Sequence, residues 1–175
     1  MDSNENNFPR KGSTVYNINQ PNSKTMRSFK SLNKFLMIPL YRLRILPLFG
    51  MGRLFLLLRT FGRKSGKKRQ TPLEYLKIDD EYYIFASRGF KSDWLKNIKA
   101  NPDKIHVQIG LRSKKAKARI ITNTEKFNDI MKEYVKRRPK PAKVLFGWDP
   151  ENDDIEQSDF SGIIDSLVAV QISPI

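Results

Sequence analysis

The sequence contains no cysteine and one histidine, His106. Without thiols there is no disulfide and no thiolate metal site. A lone imidazole excludes a multi-histidine metal site and argues against a histidine-based triad. Apolar runs are short, and none approaches the ~18 residues of a membrane-spanning helix. The pattern of a secretory leader is also missing. The early apolar block lies too far in and lacks a small-residue cleavage site, so the expectation is an intracellular, cytoplasmic protein. Acid is absent over a long stretch: no Asp or Glu occurs between Asn6 and Leu73. Against these absences stands an excess of cations. The 175 residues hold 33 Lys and Arg against 18 Asp and Glu, a net charge of +15. That balance points to anionic partners such as nucleic acid, acidic lipid or a multiply charged cofactor. Acid returns as a compact run, Asp149-Pro150-Glu151-Asn152-Asp153-Asp154-Ile155-Glu156.

Residues 1–25 are polar, rich in Asn and Ser, and read as a disordered tail before one domain spanning 26–175. Within 26–46, Phe29, Leu32, Phe35 and Leu36 recur at helical spacing, with Arg27, Lys30 and Lys34 between them. Pro39 interrupts the helix, and Leu40, Leu43 and Leu46 continue beside Arg42 and Arg44. One reading packs this face on the domain. The other lays it on an acidic membrane surface, as a peripheral and reversible association with the inner face.

Strands are expected at 53–60, 71–78 and 82–87, with Asp79-Asp80-Glu81 as a turn. A helix capped by Ser92 or Asp93 carries Trp94, Leu95 and Ile98 and stops at Asn101-Pro102. Ile105, Val107 and Ile109 alternate in a fourth strand, Arg112-Ser113-Lys114-Lys115 reads as a turn, and Ala116, Ala118 and Ile120 alternate in a fifth. Thr124 is the expected cap of an amphipathic helix with Phe127, Ile130, Met131, Tyr134 and Val135 on one face, ended by Pro139. A short helix at 142–146 and a last strand at 167–172 complete the pattern. Short turns join most strands and βαβ repetition is missing. The expected fold is therefore α+β, a mostly antiparallel small barrel with flanking helices.

The chain is organised around residues 59–93. Arg59-Thr60-Phe61-Gly62-Arg63-Lys64-Ser65-Gly66-Lys67-Lys68-Arg69 is a basic turn with two glycines, and no acid lies near it in sequence. Backbone N–H groups freed by glycine, together with fixed cations, suit a phosphate. It is not a Walker A loop: three residues separate the glycines, and neither Ser nor Thr follows the lysine. Most charge runs of this kind are solvated hairpin tips. Two features downstream strengthen the phosphate reading. Ala86-Ser87-Arg88-Gly89 ends a strand with small residues against which a flat ring could lie, and a helix N-terminus at Ser92-Asp93-Trp94 comes directly after.

Taken in order, Gly-Arg-Lys-Ser-Gly-Lys-x-Arg-x-Thr-Pro-Leu, Ala-Ser-x-Gly, Asp-Trp-x-x-Asn-x-x-Ala-Asn-Pro and Val-Gln-Ile-Gly resemble the deazaflavin-dependent nitroreductase family. The resemblance spans about residues 40–139, and the closing Leu-Val-Ala-Val strand is similar too. It implies a split β-barrel of the flavin-reductase type that binds coenzyme F-420, an 8-hydroxy-5-deazaflavin, with FMN as the alternative. It assigns the phosphate and glutamyl tail to Arg63, Lys64, Ser65 and Arg69, and places Gln70 beside them. It assigns the ring to Thr71, Pro72, Leu73, Ala86, Ser87, Arg88 and Gly89, and completes the site with Asp93, Trp94 and Asn97. Arg88 stands where the family often has Lys, and only Phe90-Lys91-Ser92-Asp93 stands where many members carry a longer insertion before the Trp. The implied chemistry is hydride transfer from the reduced cofactor to a hydrophobic acceptor such as a quinone or nitro compound, with Tyr134 or solvent as proton donor.

Two non-catalytic readings compete: a cofactor carrier, and a nucleic-acid binder using residues 112–119 and 136–143. Nucleic-acid binding is not expected, because it wants exposed aromatics beside the cations, and here the aromatics fall on alternating core positions. Either a monomer or a homodimer fits the composition.

Overall fold

The computed structural model describes residues 54–175. The polar tail at 1–25, the amphipathic segment at 26–46 and Arg53 of the expected first strand lie outside the described residues. Six strands form the barrel: β1 (Phe55–Phe61), β2 (Lys68–Ile78), β3 (Glu81–Ala86), β4 (Ile105–Ile109), β5 (Arg112–Ile120) and β6 (Val168–Pro174). Helix α1 (Asp93–Ala100) follows β3, and α2 (Thr124–Arg137) and α3 (Pro139–Phe146) follow β5. All ladders are antiparallel, in the closed order β1-β2-β3-β6-β5-β4. This is the expected small antiparallel barrel with flanking helices.

Strand alternation divides the apolar residues into two cores. Leu56 and Leu58 of β1, Val107 of β4 and Val168, Val170 and Ile172 of β6 point inward, where Trp94, Leu95 and Ile98 of α1 close one end of the barrel. Leu76, Tyr83 and Ala169 point outward and meet Phe127, Ile130, Met131, Tyr134 and Val135 of α2. The single face read from the spacing of α2 is thus its buried face. Phe127, Met131 and Val135 are fully buried there, each worth roughly 1.5–3 kcal/mol of apolar transfer.

Several expected boundaries shift. The turn expected at Arg112-Ser113-Lys114-Lys115 is strand, because Ile109 pairs with Arg112 and leaves Gly110-Leu111 as a two-residue turn. Gly110 takes φ 57°, which glycine supplies without steric cost. In the sequence the neighbouring basic run masks this glycine as the turn signal. The cap of α2 is Asn123, whose side chain accepts from Lys126 N–H at 2.7 Å, and not Thr124. Ser92 occupies the N-cap of α1 but makes no side-chain capping bond. β2 starts at Lys68, three residues before the expected Thr71, because it pairs with β1 as far as Phe61. β3 stops at Ala86, and β6 runs on to Pro174 through its pairing with β5. Pro139 does not merely end α2: it opens α3 at its first turn, where its missing N–H costs nothing.

Gly89 shows how tightly the end of β3 is held. Its φ is 49°, and a Cβ placed on it would lie 2.6 Å from the backbone oxygen of Asp165. Gly89→Ala is expected to lower stability by about 2 kcal/mol or more, combining left-handed strain with a backbone clash. Chemical denaturation measures it; an unchanged midpoint would show that the loop before β6 yields freely.

Candidate functional site

The site begins where β1 ends. The chain leaves β1 at Phe61 and returns at Lys68 through a turn closed by two backbone bonds, Gly62 N–H to Lys67 O at 2.9 Å and Gly66 N–H to Gly62 O at 2.8 Å. Gly66 has φ 62°, and a Cβ on Gly62 would meet Ser65 Oγ at 2.9 Å. Gly66 is therefore required by the turn's backbone, whereas a side chain at Gly62 would displace the Ser65 hydroxyl. The turn is tied to α1 by Asn97. This residue is only 5% exposed. Its Oδ1 accepts from Arg63 N–H at 3.1 Å, and its Nδ2 donates to Thr60 Oγ1 at 3.5 Å. Thr60 is the polar residue that ends the inward row Leu56, Leu58, Thr60, and Asn97 explains why a hydroxyl stands there.

Between turn and helix lies a cleft of about 510 Å³, lined by Gly62, Arg63, Lys64, Ser65, Arg69, Gln70, Thr71, Asp93, Trp94 and Asn97. The fold thus brings together nine residues expected for cofactor binding and adds Gly62. Asp93 is the one acid lining it. Its carboxylate lies 3.3 Å from Arg63 Nη1, and both groups face water, so the pair is weak. Among the described residues Lys64, Lys67, Lys68 and Arg69 form no ion pair. The cleft is thus strongly electropositive, with α1 presenting its N-terminus to it.

Pro72, Leu73, Ala86, Ser87, Arg88 and Gly89 do not line this cleft. They border an adjoining opening. β2 pairs with β1 from Lys68 to Glu74 but with β3 only from Tyr75 onward, while Phe85 and Ala86 of β3 pair with β6 alone. The two strands therefore part below Tyr75, with 70–74 on one side and 86–89 on the other. Tyr75 N–H donates to Leu54 O at 3.1 Å. By alternation the backbone groups of Leu73 and Thr71 also face β1, and those of Glu74, Pro72 and Gln70 face the opening. Pro72 fits that edge because no N–H is needed there. Ala86 turns its side chain into the inner core, and at Gly89 the backbone oxygen of Asp165 leaves no room for a side chain.

Tyr134 is not brought to the cleft. It is 4% exposed in the outer core, with its ring 5.2 Å from that of Phe85 and 6.3 Å from that of Phe146. Burial, and secondarily the Glu74 carboxylate, push its hydroxyl far above the usual tyrosine range, with the Arg138 guanidinium opposing. Its place on the apolar face of α2 decides this. A neighbouring pair is not legible in the sequence: Glu74 Oε1 accepts from Arg138 Nε at 2.9 Å, joining β2 to the end of α2 where β2 and β3 begin to part. Its only signal is a lone acid in an apolar strand.

Asn97→Ala is expected to destabilise the fold by roughly 1–2 kcal/mol, since it leaves the N–H of Arg63 and the hydroxyl of Thr60 without their partner. Asn97→Asp, which keeps the acceptor for Arg63, should recover part of the loss. Equal denaturation midpoints for wild type and Asn97→Ala would show that the turn stands without this tie.

The chain has recognisable likenesses among known proteins. The profile of the family described as F420H(2)-dependent quinone reductase matches residues 47–142. F420H(2)-dependent quinone reductases of Mycobacterium tuberculosis, strains H37Rv and CDC 1551, are each 41% identical over 58 residues, covering 31% of this chain and 38% of the relative. The chain thus spans well under half the length of the curated relatives it matches. A solved F420-H2 dependent reductase is 26% identical with a TM-score of 0.47, covering 69% of this chain and 95% of that one.

Proposed function

Since the chain belongs to the F420H(2)-dependent quinone reductase family, we propose that it is an oxidoreductase that holds reduced coenzyme F-420 in the cleft and passes a hydride to a hydrophobic acceptor such as a quinone. The observation that carries this reading is the cleft itself, where Arg63, Lys64 and Arg69 converge with one weakly paired acid among them. A long polyanionic tail suits such a surface, because Lys67 and Lys68 extend the charge beyond one phosphate pocket. FMN, with a single phosphate, would use less of it.

The bound deazaflavin supplies the hydride, and the protein supplies binding, orientation and exclusion of water. Arg63, Lys64, Ser65 and Arg69 hold the tail by charge-assisted hydrogen bonds. Gln70, Thr71, Pro72 and Leu73 offer one edge for the ring, and Ala86, Ser87, Arg88 and Gly89 the other. Trp94 supplies an apolar wall, and Asn97 keeps the turn in register. No side chain at the cleft is a nucleophile of the Cys or His type, and hydride transfer requires none. With Tyr134 in the outer core, solvent is the proton source in this reading.

Each cation–phosphate bond is expected to contribute about 1.5–3 kcal/mol. Replacing Arg63 and Lys64 together by Ala should weaken deazaflavin binding about tenfold or more, and the difference should shrink as salt is raised. Fluorescence titration measures it, and unchanged affinity would remove the turn from the site. Parallel titration with FMN and F-420 tests the coenzyme: F-420 should bind the more tightly, and tight FMN binding without F-420 binding would reverse the assignment.

A further inference from the structure

Between Asp103 and Glu125 the sequence has no acid and six cations, Lys104, Arg112, Lys114, Lys115, Lys117 and Arg119. Five stand on β5, and all five are exposed. Among the described residues none of them forms an ion pair. Ala116, Ala118 and Ile120 face the inner core, so Lys115, Lys117 and Arg119 form one outward row, ~6.7 Å apart along the strand. Their ladder neighbours are His106, Ser173 and Gln171. Among the described residues no Asp or Glu is a ladder neighbour of the row. Glu81, farther round the barrel, is engaged by the Ser173 hydroxyl at 3.1 Å.

Large apolar side chains stand exposed at the hairpin tip and beside the start of the row, which runs from Lys115 away from the tip. Leu111, at the tip of the Gly110-Leu111 turn, is 50% exposed. Ile175 is 64% exposed and sits beside the row, its N–H donating to Lys115 O at 2.8 Å. Leu56 pairs with Ile109, so Leu54, 41% exposed, comes level with the tip. The cleft lies at the other end of β1, ~23 Å away along its seven residues.

We propose that the β4–β5 hairpin docks on an anionic lipid surface, with Leu111 entering the headgroup boundary and the row on β5 meeting the anionic headgroups. Apolar tips flanked by unpaired cations gain from both parts of such a surface. A nucleic acid would match the charge but wants stacking aromatics, and no Phe, Tyr or Trp occurs from Ile105 to Ile121. The inference stands apart from the cofactor reading, and its test needs no cofactor.

The test is co-sedimentation of the full chain with vesicles of phosphatidylcholine containing phosphatidylglycerol, against phosphatidylcholine alone. Binding is expected only to the anionic vesicles and should fall at high salt. Leu111→Ser with Lys115→Glu and Lys117→Glu should weaken it about tenfold or more, while Lys115→Arg with Lys117→Arg should preserve it. Far-UV circular dichroism reports folding of each variant. If the triple variant does not fold, Leu111→Ser alone, at an exposed tip, should still reduce binding several-fold. Unchanged binding in the folded variants would overturn the proposal. So would equal binding to neutral vesicles, or retention of a single-stranded oligonucleotide without vesicle binding.

Discussion

A change of partner along β2 governs the architecture of this protein. Its first seven residues pair with β1, and pairing with β3 begins only at Tyr75. Because antiparallel strands alternate the direction of their backbone groups, β2 can serve β1 while its other edge faces the opening. Pro72 on that edge removes one donor that would otherwise need a partner. The barrel still closes through the remaining ladders, so the opening weakens one seam without unmaking the sheet. Everything proposed for the ring of a cofactor depends on that parting, and everything proposed for its tail depends on the turn that feeds the same strand.

The turn would be of little use without α1. A basic hairpin tip in water is mobile and screened, and its cations repel one another. Here the buried amide of Asn97 holds the backbone of Arg63, and Trp94, Leu95 and Ile98 root the helix in the inner core. The backbone of the turn is thereby fixed in relation to the helix N-terminus.

The acids of the 149–156 run do not offset this field. Asp149 is bound to Lys143 at 2.6 Å, which is the main cause holding its carboxyl below the usual range, and it also accepts from Glu151 N–H and Asn152. Glu156 lies 3.5 Å from Lys132. The run folds its own loop and anchors it to α2 and α3, leaving the cleft and the outer face of β5 as separate cationic surfaces.

Periodicity in the sequence was enough for the antiparallel barrel, the inward row of β6 and the buried face of α2, because burial on one side imposes a period of two on strands and 3.6 on helices. Composition raised the expectation of an anionic partner, and the order of motifs named nine of the residues that gather at the cleft. Ends of elements were less legible. Basic residues look like a turn in one dimension, yet in β5 their alternation with Ala116 and Ala118 places them on a strand. Which of the expected residues line the cleft, and which do not, was decided by tertiary structure. Tyr134 and Trp94 are both aromatics on amphipathic helices, but one helix packs outside the barrel and the other closes its end. The ties of Asn97 to Thr60 and Arg63, and of Glu74 to Arg138, link residues 34 to 64 positions apart. No local pattern encodes such a contact; only the closure of the barrel brings its partners within hydrogen-bonding distance.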